Sequence, residues 1–138
     1  MNRFGHLGFS LILFSPLLSY FSTTEVMTAI LFSMLPDIDL VLRIKHRMYT
    51  HNILFASLIS LAFLFLLKDE MIATFIFLGV FSHILADLLT KMPFAPLYPL
   101  YRKRFALRLF RSDNAVVNYS FLIIGIFFFA YFYGIKIY

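Results

Sequence analysis

Five apolar runs constrain this chain more than any other feature: residues 4 to 22, 26 to 44, 50 to 67, 70 to 90 and 114 to 135. A bilayer core about 30 Å thick takes roughly 20 helical residues, so each run is long enough, or nearly so, to span it. The third is the shortest. Hydrophobic residues make up 62% of the chain and charged residues 14%, which lies well outside the soluble globular range. The expected fold is therefore all-α: a single integral-membrane domain over residues 1–138, a polytopic bundle of about five transmembrane helices. The first run follows Asn2 and Arg3 like a signal peptide, but no small-residue cleavage pattern follows in residues 19 to 24, so it is read as an anchored helix.

Helix starts are marked by residues that can satisfy free backbone N–H groups. Ser22-Thr23-Thr24-Glu25 reads as a capping box for the second helix, Asp69-Glu70 opens the fourth, and Ser112-Asp113-Asn114 opens the fifth. Thr50 is the expected N-cap of the third, with His51 at its first position. Between the fourth and fifth runs, residues 91 to 111 carry prolines at 93, 96 and 99. Period two sets Phe105, Leu107 and Leu109 opposite Arg104, Ala106 and Arg108, which predicts a basic interfacial strand or hairpin and not an amphipathic helix.

With five spans, one side of the membrane would hold Arg3, Arg43, Lys45, Arg47, Lys91, Arg102, Lys103, Arg104, Arg108 and Arg111, leaving Lys68 and Lys136 on the other. The positive-inside rule then places the N-terminus in the cytoplasm and the C-terminus outside. This orientation gives the intramembrane polar residues a common depth. His6 lies near the cytoplasmic start of the first run, and His46 and His51 flank the turn into the third. Asp37 and Asp39 fall roughly 8 to 11 Å from Ile44, and His83 and Asp87 roughly 5 to 11 Å from Thr90, at 1.5 Å per residue. Each aspartate costs about 2.5 to 3.5 kcal/mol at a helix centre, so the acids require partners, and the four histidines at the same level supply them.

His83 and Asp87, spaced i, i+4, share a helix face, as a metal site or a proton-exchanging His–carboxylate pair requires. Asp37 and Asp39, spaced i, i+2, would point to nearly opposite faces of a regular helix. Pro36 removes a backbone donor just before them, so a kink could bring both together, or one could bind a metal while the other orients a histidine. The bland alternative is an ion pair of these acids with Arg43 or Arg47. For the basic residues of the 91 to 111 segment it is attraction to anionic lipid. The chain has no cysteine, so any metal must be held by nitrogen and oxygen.

The order of these motifs is His6 with Gly8, Leu35-Pro36-Asp37-Ile38-Asp39, His46-Arg47 with Thr50-His51, Ser82-His83 with Asp87 and Thr90, and Leu97-Tyr98-Pro99. In that order the chain resembles the YdjM-type family of membrane-bound metal-dependent hydrolases over roughly residues 5 to 100. Asn52 departs from the serine more usual there. A weaker similarity runs to the ligand order of zinc-dependent phospholipase C and related nucleases. The resemblance implies a divalent-metal hydrolase, zinc before other ions, with His6, Asp37, Asp39, His51, His83 and Asp87 as candidate ligands. Six ligands exceed one four-coordinate site, so one or more ions are expected. His46 and Arg47 would support the ligands or touch substrate, and a spare Asp37 or Asp39 would take the proton of the attacking water.

Headgroup depth and a cationic rim of Arg47, Arg102 and Arg104 point to a membrane lipid or other anionic amphiphile, and not to nucleic acid. The expected reaction is phospholipase-like hydrolysis of a phosphoester in a lipid or lipid-linked substrate. A proton or metal-ion transporter using the Asp/His cluster as a relay is the alternative.

Overall fold

The computed structural model describes residues 1–41 and 49–137. Among these residues the chain is all-helical, with five helices of ten residues or more and one single turn: α1 Arg3–Phe14, α2 Thr23–Phe32, α3 Ile38–Val41, α4 Ile53–Leu67, α5 Glu70–Leu88 and α6 Ala115–Ile137. Two of them, α5 with 19 residues and α6 with 23, are long and apolar enough to cross a membrane; α4, with 15, is apolar but shorter. The first two apolar runs are not continuous α-helices. α1 tightens into a 3-10 segment, Ser15–Ser19, at Pro16. The run 26 to 44 stops being α-helical at Phe32 and passes through a 3-10 turn, Leu35–Asp37, into α3.

Local chemistry accounts for these boundaries. Ser22 Oγ accepts from Glu25 N–H while Glu25 Oε2 accepts from Ser22 N–H, which completes the capping box of α2. Asp69 caps α5 through Ile72 N–H, and Asn114 caps α6 through Val117 N–H. α4 differs from expectation: Asn52, not Thr50, is its N-cap and accepts from Phe55 N–H, while its own amide donates to the Tyr49 carbonyl. His51 therefore precedes the helix, and Thr50 is free for another task.

α1 packs along α6, and α2 and α4 pack on α5, which is the most enclosed helix. Two backbone approaches need glycine. A Cβ on Gly8 would lie 2.3 Å from the backbone of Phe121 and Leu122, and one on Gly125 2.6 Å from the Gly8 carbonyl oxygen, so these glycines let the α1 and α6 backbones meet. A Cβ on Gly79 would lie 2.3 Å from the Ala29 carbonyl oxygen, and this contact draws the end of α2 against α5. The segment after α5 folds back as an irregular hairpin: Phe94 and Phe105 exchange backbone hydrogen bonds, and Lys91 N–H donates to Phe110. The predicted alternation does not sort its faces, because Phe105, Leu107 and Leu109 are exposed together with Arg104 and Arg108. Arg108, at φ 59°, breaks the extended backbone that a period of two requires.

Replacing Gly79 with valine forces α2 and α5 apart. Overpacking of this kind costs about 1–3 kcal/mol. The thermal midpoint of purified Gly79→Val in detergent should fall accordingly, and an unchanged midpoint would contradict the close approach.

Candidate metal centre

The helix break at Pro36 builds the centre. In a continuous helix the Ser33 carbonyl would accept from the N–H four residues on; here it accepts instead from Nδ1 of His83, at 2.7 Å. A carbonyl can only accept, so His83 Nδ1 carries the proton and its Nε2 is a bare lone pair. His51 is set the same way from another direction. Its Nδ1 lies 2.9 Å from Thr50 Oγ1 and 3.3 Å from Asp39 Oδ2, and Thr50 donates to Asp39 at 2.9 Å. Asp39, as an acceptor, favours the proton on Nδ1 and turns the Nε2 lone pair toward His83.

The two Nε2 atoms face each other at 3.0 Å. Asp37 Oδ1 lies 3.6 Å from His83 Nε2 and 3.8 Å from His51 Nε2, and Asp87 Oδ2 lies 3.6 Å from His51 Nε2. His6 stacks on His83, with ring centroids 3.6 Å apart and planes 6° apart, and its Nε2 is 3.3 Å from Asp87 Oδ1. Neither ring nitrogen of His6 makes a hydrogen bond within the described residues. The Met1 amino group also contacts Asp87. All six side chains are at least nine-tenths buried.

Two such nitrogens at this distance need a proton on one of them or a metal ion bound by both. Ligand atoms around a tetrahedral zinc with bonds of roughly 2.0–2.1 Å lie roughly 3.3 Å apart, within the spread of spacings found here. Two donor triplets meet the distance requirement: Asp37, His51 and His83, and His6, His83 and Asp87. They share His83, whose single free nitrogen can serve only one ion. The donor set therefore fits one ion ligated by His83, with a second ion only if a carboxylate bridges.

The structure brings His6, Asp37, His51, His83 and Asp87 together as donors. Asp39 stands behind His51 and belongs to neither triplet. Arg102 and Arg104 are exposed on the hairpin. His46 and Arg47, with Arg43, lie outside the described residues. Arg111 is paired with Asp113 at 2.9 Å, and the guanidinium holds that carboxyl below its ordinary range.

Three contributors were not singled out from sequence. Ser33 acts through its main chain, which no side-chain pattern reveals. Thr50 looked like a cap. Asn118, fully buried on α6, accepts from Asn2 N–H and donates to the Ser112 and Asn114 carbonyls, so it fastens the start of α1 one turn before His6. A lone asparagine within an apolar run was the available signal.

The model of the YdjM inner membrane protein family matches residues 1–138, the whole chain. This chain belongs to the YdjM inner membrane protein family. No curated protein and no solved structure matches it, so the likeness to phospholipase C has no support from the comparisons. The YdjM name gives the location, an inner membrane, and no chemistry.

In this YdjM protein, Asp39→Asn or Thr50→Val should release the His51 ring and weaken divalent-metal affinity about 10–100-fold, the usual effect of losing a partner behind a ligand. Chelator competition measures it. Affinity equal to wild type would show that Asp39 does not set the ring.

Proposed function

We propose that the chain is a membrane-embedded metal-dependent hydrolase acting at the cytoplasmic headgroup level on a phosphoester of a lipid or lipid-linked substrate. One observation carries this reading: two buried histidines, each oriented through Nδ1 by a separate acceptor, turn their Nε2 atoms to one point that Asp37 and Asp87 also face. Histidine and carboxylate donors suit zinc. A bound divalent ion would supply Lewis acidity and bring a water's pKa toward neutrality.

The chain's own groups would do the rest. His51, His83, Asp37 and Asp87 hold the ion, with His6 against Asp87. Asp39 keeps His51 in one tautomer and raises its basicity. Asp37 is the least buried of the three acids and lines a cavity, so it is the acid placed to accept a proton from water at the open side. Asp39, held by Thr50 and His51, is not. Low-dielectric walls strengthen every charge interaction with a phosphoryl oxygen.

Five crossings with the N-terminus in the cytoplasm are part of this proposal. Support comes from the donors' origins: the start of α1, the end of α2, the approach to α4 and the end of α5, which are the positions that share a side when consecutive helices alternate in direction. A relay through the membrane would need ionisable groups at several depths. Lys136, toward the other end, instead donates to the Leu18 and Phe21 carbonyls.

Detergent-purified protein should carry about one divalent ion per chain, and His83→Ala or Asp87→Ala should lose it together with at least 100-fold of phosphodiesterase activity on anionic lipid. Stoichiometric metal with no turnover of any lipid phosphoester would overturn the hydrolase reading. A C-terminal alkaline phosphatase fusion should be active; one active only as a cytoplasmic reporter would reverse the topology.

A further inference from the structure

A cavity of about 450 Å³ opens beside the donor cluster, a size within the roughly 300–1,000 Å³ of ligand pockets. Its walls are Leu31, Phe32, Met34, Leu35 and Ile38, from the broken end of α2 and the turns after it. Among its described lining residues only Arg3 and Asp37 are charged. Asp37 belongs to the donor set. Arg3 lies three residues before His6, on the same face of α1, and makes no ion pair with the described residues. Leu31 is 66% exposed and Ile38 40%, so the apolar wall runs out to the surface of the helices.

We infer that this cavity is the substrate's anchoring site: Arg3 takes the phosphate of an anionic phospholipid, and the apolar wall takes one acyl chain. The inference rests on the hydrolase reading for what happens next, but the binding stands on its own geometry. A guanidinium suits a phosphate because its planar fork donates two hydrogen bonds at once. The apolar walls exclude a wholly hydrated anion, which would lose its water without replacement. A neutral lipid leaves Arg3 without a counter-charge. An anionic amphiphile satisfies both halves, and its phosphate then lies between Arg3 and the donors on the side where Asp37 is open. The same break that frees the Ser33 carbonyl for His83 thus also supplies the wall, whose residues come from the end of α2 and the turns after it.

Native mass spectrometry of the metal-loaded protein with phosphatidylglycerol, and separately with diacylglycerol, tests the assignment. Wild type should retain one phosphatidylglycerol and at least ten-fold less diacylglycerol. Arg3→Gln should weaken phosphatidylglycerol retention ten-fold or more, Arg3→Lys should restore part of it, and Leu35→Trp, which fills the cavity, should lower retention of both lipids. Metal content in each variant reports whether the centre is intact. Equal retention by wild type, Arg3→Gln and Leu35→Trp, or no preference for the anionic lipid, would overturn the anchoring site even if a lipid phosphoester is hydrolysed. Retention that depends on Arg3 without turnover would keep the anchoring site and overturn the hydrolase.

Discussion

The carbonyl of Ser33 can accept from His83 because the helix around it stops. Pro36 has no N–H to continue the ladder, and the chain turns through a 3-10 segment before α3 begins. That one interruption has three consequences. It provides the acceptor for the His83 ring, it turns Asp37 and Asp39 onto opposite ring edges of His51, and it supplies the apolar lining of the cavity that Asp37 also lines. Gly79 makes the geometry reachable by letting α5 approach the last turn of α2 at backbone contact.

Burial of three carboxylates sets the energetic problem for the rest of the bundle. At about 2.5 to 3.5 kcal/mol per aspartate on insertion scales, the acids would oppose membrane insertion unless each has partners. Asp39 has Thr50 and His51, while Asp37 and Asp87 face imidazoles. The hydrogen bond from Thr50 and the His51 ring offset part of the desolvation of Asp39. Asp87 also contacts the Met1 amino group, and a divalent cation at the donor cluster would compensate Asp37 and Asp87 further.

Much of this arrangement is legible in the sequence because charge is so rare in the spans. His6, Asp37, His51, His83 and Asp87 stand out against apolar neighbours, and the structure brings them together. Caps at Ser22 and Asp69 follow from side-chain chemistry that acts within one turn. What sequence does not show is anything carried by the main chain or by distant contacts. The end of α2 at Phe32 was hidden in an unbroken apolar run, although Pro36 signalled a kink. Thr50 had two roles open to it, and tertiary contact with Asp39 decided between them. Arg3 counted as a topology signal until the cavity placed it beside Asp37. The alternation in residues 104 to 109 misled for a local reason, the left-handed backbone at Arg108.

On this reading His51 and His83 bind one ion through their Nε2 atoms. X-ray absorption at the metal edge of zinc-loaded protein measures this most directly. Two or three imidazole nitrogens at about 2.0–2.1 Å, falling by one in His51→Ala, are the expected result. A shell of oxygen atoms with no imidazole scattering, unchanged by that substitution, would contradict it.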